Sequence, residues 1–316
     1  MSHGSVSSIA RRFAAGPAVV FLAAGLAGCG GGTVGMGGGD DGKKPVAAAS
    51  SSSPSSPSSS ASAAPPAPQS ASPVEPRSSA PAPAPSDAPA ADGPLRGKVV
   101  VVDPGHNIHN AEHSAEINRQ VDIGTGSKEC DTTGTETNSG YAEATFSLDV
   151  AHRLRAILQS RGAKVVLTHD GDRPYGPCVT ERAEIGNKAH GDAAVSIHAD
   201  GAEPGQRGFH VILPAKVRGG AADTAPIVEP SKELGARVAG NFVKVTGSAP
   251  SNYIGHGTGL DTRGDLGGLN LSTIPKVFIE CGNMRDAQDA ALLTDGDWRE
   301  KAAQGIANGI TDFLRG

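Results

Sequence analysis

From Gly97 onward, short apolar runs alternate with stretches whose apolar residues recur at helical spacing. Lys98 to Val102 is a continuous apolar run of the kind a buried strand requires. Lys164 to Thr168, Ala193 to Ile197, Phe209 to Leu213 and Lys276 to Ile279 read the same way. Between them, Phe146, Val150, Leu154, Ile157 and Leu158 mark one helix face, and Gly162 is placed to end that helix in the left-handed conformation. Val179 to Ala189 carries a second helical pattern. Ser231 is placed to cap a third, with Leu234, Val238, Phe242 and Val245 on its face, and Trp298, Ala302, Ile306, Ile310 and Phe313 mark the last. The alternation predicts one α/β domain over residues 97–316, with a mostly parallel twisted sheet covered by helices on both faces. Stretches 107–140 and 248–275 are long, rich in Gly, Thr and Asn, and without periodicity. Loops of that length in a compact domain are usually functional.

The first third of the chain reads differently. Between Pro45 and Pro94 there are 15 Ser, 14 Ala and 13 Pro in 50 positions. That composition cannot bury enough apolar surface to offset its ordering entropy, so residues 30–96 are expected to form a disordered tether. As a flexible coil it averages about 45 Å end to end, and as polyproline II it reaches about 200 Å. Ahead of it, Arg11 and Arg12 precede a mostly apolar run from Phe13 to Leu26, too short to span a bilayer comfortably. The run ends in Leu26-Ala27-Gly28-Cys29, which resembles the lipobox of bacterial lipoproteins. The resemblance implies that residues 1–29 are an export signal, that Cys29 is lipidated, and that the protein is anchored to the outer face of the cell membrane. An ordinary cleaved signal, and hence a secreted protein, is the alternative.

Export bears on the other cysteines. Cys130 and Cys178 lie in loop-like sequence, whereas Cys281 follows the apolar run of the last strand. In an oxidising compartment two loop cysteines are natural disulfide partners and a buried strand-end cysteine can stay a small hydrophobe; three free thiols are the other reading. A net charge of −5, from 28 basic and 33 acidic residues with no basic block after Lys44, argues against nucleic acid as a partner.

In open α/β sheets reactive groups collect where strands end. Here one strand leads to His106, another to His198, and a third to Glu280, while Glu143 opens the first long helix just after the 107–140 loop. Two histidines and a carboxylate make a hydrolytic zinc set that leaves a position for water, and a second carboxylate nearby could carry the proton. A lone histidine more often fills a core or caps a helix, and a lone Glu143 would simply complement the helix dipole. Glu280, ending an apolar strand, is costly to bury unless paired or functional.

Taken together, Val100-Val-Val-Asp-Pro-Gly-His106, the Glu143 helix start, Ala194-Val-Ser-Ile-His-Ala-Asp200 and Phe278-Ile-Glu-Cys-Gly-Asn283 resemble the zinc-dependent N-acetylmuramoyl-L-alanine amidases of the family-3 type. The likeness covers residues 98 to 315 in the family's order. Ser139-Gly-Tyr141, Asn252-Tyr-Ile-Gly255 and Gly267-Gly-Leu-Asn270 look like its actinobacterial secreted branch. The resemblance implies one Zn2+ per chain held by His106, Glu143 and His198, Glu280 as the catalytic carboxylate, a Cys130–Cys178 disulfide, and peptidoglycan or muropeptides as substrate. A monomer is expected. Arg263 sits where the family has an arginine and is a candidate for the peptide or lactyl carboxylate of the substrate. Arg182 reads as a structural ion-pair partner, Asp103 as an acceptor orienting the loop or a ligand histidine, and Asn283 as a turn cap. His109, His113, His152, His169, His190, His210 and His256 are expected to face solvent. One departure stands out: Asn107-Ile108 replaces the family's second glycine pair after the first histidine. A catalytically silent muropeptide-binding module, or another zinc peptidoglycan hydrolase, is the alternative function; a silent module would be expected to lack one of the four residues, and all are present.

Overall fold

The computed structural model describes residues 92–316. The signal segment, Cys29 and the tether up to residue 91 lie outside the described residues. Ten strands and seven helices follow in chain order: β1 (Val99–Pro104), α1 (Ser114–Ile117), β2 (Gln120–Asp122), β3 (Ser127–Glu129), α2 (Glu143–Ser160), β4 (Lys164–Leu167), α3 (Val179–Lys188), β5 (Ala193–Asp200), β6 (His210–Pro214), β7 (Arg218–Gly219), β8 (Ala222–Asp223), α4 (Val228–Thr246), β9 (Leu260–Arg263), α5 (Gly267–Asn270), β10 (Lys276–Asn283), α6 (Ala287–Leu293) and α7 (Gly296–Arg315).

The central sheet has the order β4-β1-β5-β10-β6-β9. Its first four strands are parallel; β6 runs antiparallel to β10, and β9 parallel to β6. Side chains alternate across the sheet, so each strand serves two layers. Val100, Val102, Val195, Ile197, Val277 and Ile279 face the main core with Phe146, Leu154, Leu234, Phe242 and Ile306 from α2, α4 and α7. On the other face Val101 and Ala194 meet Ile274, and Gly186 of α3 lies against Val101 and Ile274. Three long helices thus fill one face. The thinner cover on the other leaves room for a cleft.

The predicted helices form with small shifts. Gly162 follows α2 with φ +90°, as its helix-ending position requires. Ser231 is not a cap: α4 begins at Val228, and the Ser231 hydroxyl accepts the Lys276 N–H at 3.0 Å, tying α4 to the start of β10. Leu95 is fully buried and its N–H donates to Arg161 O at 2.9 Å, so the packed domain begins before Gly97. His169 and His210 are buried, 6% and 2% exposed, where sequence reading put them in solvent. His169 Nε2 faces Pro104 O at 3.1 Å, and the His210 ring meets Tyr253 edge-on at 6.0 Å.

The 107–140 segment is ordered by Cys130–Cys178, which joins it to the residue before α3, while Cys281 is free and buried. The small β2–β3 hairpin within it lies against the stretch after β9: Thr125 Oγ1 donates to Gly264 O at 3.3 Å and Lys128 pairs with Asp265 at 3.5 Å. None of the described helices is long and apolar enough to cross a membrane.

Candidate metal centre

His198 sits on β5 with its side chain on the thinly covered face, directly beside Glu280 of β10 in the parallel register. His106 lies two residues beyond β1, in the left-handed region at φ 60°. A non-glycine residue there is uncommon, and such residues cluster at functional sites. Glu143 is the first residue of α2 and is buried. That helix is held to the loop after β1 by Ser147 Oγ, which donates to Gly105 O at 2.6 Å.

Three donor atoms converge. His106 Nε2 is 3.2 Å and His198 Nδ1 2.9 Å from the same oxygen, Glu143 Oε1. Among the described residues, His106, Glu143 and His198 form the one cluster whose ligand-type atoms all lie within 4.8 Å of one another. Their surroundings orient them. His106 Nδ1 faces Thr132 O at 3.0 Å, with Asp131 Oδ1 at 3.6 Å, which leaves Nε2 for the cluster. His198 Nε2 lies 3.2 Å from Ser196 Oγ, and Glu143 Oε2 accepts the Thr135 N–H at 2.9 Å. Two imidazoles and a carboxylate are the borderline donor set that zinc takes.

The electrostatics favour a cation here. Burial works against a charge on His106, but the Glu143 and Asp131 carboxylates outweigh it and push its pKa up to about 10. Glu143 is buried too, and His106 and His198 nonetheless hold it well below the ordinary carboxylate range. Glu280 is the opposite case. Burial, then the negative charges of Glu143 and Asp200, hold its carboxyl far above the usual range, outweighing His106 and Arg263. Its buried Oε2 has no hydrogen-bond partner. A carboxyl placed this way can carry a proton.

The cleft of about 280 Å³ around these groups is also lined by Arg263, Phe278 and Leu266. Phe278 stacks on the His198 ring at 5.2 Å. Arg263, at the end of β9, is bound through Nη2 to Asp265 Oδ2 at 2.6 Å and faces the same space as Glu280. Gly134 closes one wall: with φ +74°, an added Cβ would stand 2.8 Å from both Glu143 Oε2 and His106 Cδ2.

Asp103 touches neither His106 nor His198. It is fully buried beneath them, accepting from Thr168 Oγ1 (2.7 Å), Arg182 Nη1 (2.9 Å), Ser196 Oγ (2.9 Å) and Lys276 Nζ (2.9 Å). It therefore reaches His198 only through Ser196. The acceptor at His106 is instead Thr132 O, next to Asp131, and Asp131 is anchored by Arg182 at 2.9 Å. Arg182 is the ion-pair partner expected of it. Asn283 holds the 202–206 loop rather than facing the cleft: its amide donates to Ala202 O and Glu203 O.

Asp131, Thr132, Ser196 and Asp200 were not singled out from sequence. For Ser196 and Asp200 a signal existed, since strand alternation puts residues 196, 198 and 200 on one face. Asp200 Oδ2 accepts the Tyr253 hydroxyl at 2.7 Å.

The α/β fold brings three metal-type donors together beside a separate buried carboxyl, an arrangement that can support metal-assisted hydrolysis. Residues 100–312 match the Amidase_3 family, N-acetylmuramoyl-L-alanine amidase, and the chain belongs to that family. N-acetylmuramoyl-L-alanine amidase Rv3717 of Mycobacterium tuberculosis is 40% identical over 226 residues, 71% of this chain and 90% of that protein. The crystal structure of the amidase Ami1 from Mycobacterium smegmatis is 39% identical with a TM-score of 0.64, covering 70% of this chain and 98% of that one. The apo Ami1 of Mycobacterium abscessus is 40% identical with the same TM-score of 0.64, over 70% and 100%.

Proposed function

We propose that this protein hydrolyses the amide between the lactyl group of N-acetylmuramic acid and L-alanine in peptidoglycan or its fragments, with zinc held by His106, Glu143 and His198. The observation that carries the reading is the convergence of three ligand atoms within 4.8 Å beside a fourth, unpartnered buried carboxyl. Family membership supplies the substrate class.

Zinc held by these three residues would supply Lewis acidity and would lower the pKa of a water molecule towards ~7. Glu280 takes a proton from the attacking water and returns it to the departing alanine nitrogen, so one carboxyl serves as base and then acid. The raised proton affinity of Glu280 suits the second half of that task, and a cation in the cleft would lower it for the first. Phe278 and Leu266 exclude water from one side. Arg263, across β10 from the histidines, offers its guanidinium to a stem-peptide carboxylate. The direct test of the metal assignment is Glu143→Ala, which should lose zinc and activity together when metal content and release of L-alanine-terminated peptide are measured side by side. Zinc retained at one per chain in that variant contradicts the ligand assignment.

The same reading places the domain outside the cell, on a lipid anchor at Cys29 with residues 30–96 as spacer. More than one acyl chain holds a protein to a membrane far better than one. Cys29→Ser should move the protein from the membrane fraction to the soluble or secreted one; unchanged membrane retention would overturn the anchor.

A further inference from the structure

The Asn107-Ile108 pair, where the family's pattern has glycines, divides into two roles. Asn107 is buried; its amide donates to Arg173 O (3.2 Å) and Gly176 O (3.1 Å), and its Oδ1 accepts the His109 N–H (3.0 Å). That fixes the backbone just past His106. Ile108 is left 48% exposed, and among the described residues only Val243 is a comparably exposed large apolar side chain. Val243 lies on α4, behind the sheet. Ile108 instead lines, with Ala111 and Ala144, a groove of about 410 Å³ whose other wall is the 133–136 stretch. The groove and the metal cleft share Gly134 and Thr135. It therefore opens from the wall of the site itself.

Strand order says which half of a substrate reaches it. Across the sheet the site runs from His106 after β1, through His198 on β5 and Glu280 on β10, to Arg263 on β9. On the amidase reading Glu280 gives its proton to the departing nitrogen and Arg263, in the same cleft, takes the peptide carboxylate, which sets the amine half of the substrate on the β10–β9 side. The peptide then extends towards β9, and the acyl half, the lactyl ether with its sugar, extends towards β1. We propose that the groove beside Ile108 is the subsite for the muramyl sugar, with Ile108, Ala111 and Ala144 packing against its apolar face or N-acetyl methyl. This rests on the amidase reading and goes beyond it, since nothing in the catalytic set requires an exposed isoleucine. Glycine, lacking a side chain, would offer no such contact.

The test uses two soluble substrates with one stem peptide, an N-acetylmuramoyl-peptide and the corresponding N-lactyl-peptide without the sugar. The wild-type enzyme should prefer the sugar-bearing substrate. Ile108→Ser should raise its KM about five- to tenfold, the effect of losing part of an isoleucine contact, and leave kcat/KM for the lactyl-peptide unchanged. Arg263→Ala should weaken both substrates alike, because it meets the half they share. Ile108 is exposed, so thermal stability should stay at the wild-type value. Equal effects of Ile108→Ser on the two substrates, or no effect on either, overturn the subsite. Failure of the wild-type enzyme to release L-alanine-terminated peptide from either substrate instead removes the amidase reading, and the subsite falls with it.

Discussion

Glu280→Gln should lower turnover about 10²–10⁴-fold, the usual worth of a positioned general acid–base, while zinc stays near one per chain. Shape is kept in this variant, and the oxygen that accepts and returns the proton is lost. Glu280→Ala should fall as far in rate. Both histidines and Glu143 remain in place, so metal content is the readout that separates this role from ligation. The expectation draws on the position of Glu280: its Oε2 is buried without a partner, and Glu143 and Asp200 add negative charge around it. Loss of zinc from Glu280→Gln, or full activity with zinc bound, contradicts the role.

Asp103→Ala should destabilise the domain by about 3–5 kcal/mol, the cost typical of removing one partner from a buried ion pair. The carboxylate lies between Arg182 and Lys276, each 2.9 Å away and each almost wholly buried. Arg182 keeps Asp131 when Asp103 is gone. Among the described residues Lys276 then keeps the Phe278 ring, 5.5 Å from its ammonium, and no other carboxylate. A loss of this size is a large fraction of an ordinary domain's stability, so poor expression is expected as well. Burial alone would raise the Asp103 pKa, but Lys276 and Arg182 outweigh it and hold the folded value far below the ordinary carboxylate range. With the folded pKa depressed, its contribution is fully present above the pKa of the unfolded carboxyl and is lost progressively as pH falls from there through the folded value. Denaturant unfolding at pH 7 and in acid checks both statements. A cost under about 1 kcal/mol at pH 7 contradicts the buried-pair account.

How much of this was legible in the sequence follows from burial. β1, β4, β5, β6 and β10 announce themselves as apolar runs because the sheet is covered on both sides. β9 does not. Leu260-Asp-Thr-Arg263 holds one apolar residue and forms an edge whose pairing with β6 is supplied by the rest of the fold. The β2–β3 hairpin is hidden for the same reason, since Gln120-Val-Asp and Ser127-Lys-Glu are mostly polar and short. Ser231 misled because a serine before an apolar face is a common cap, whereas here its hydroxyl serves a neighbouring strand. Of the site, Glu143 opens α2, His106 follows β1, and His198 and Glu280 come directly after the apolar runs of β5 and β10, so the four could be read in order. Asp131 could not: only the folded loop brings it within 3.6 Å of His106 and 2.9 Å of Arg182.

Mass spectrometry of peptidoglycan digested by the purified protein tests cleavage of the lactyl–alanine amide directly. Glycan fragments with free muramic lactyl carboxylates, and stem peptides beginning with a free L-alanine amine, are expected. Cuts between stem-peptide residues, deacetylated sugars with the amide intact, or bound but uncut peptidoglycan would contradict that cleavage.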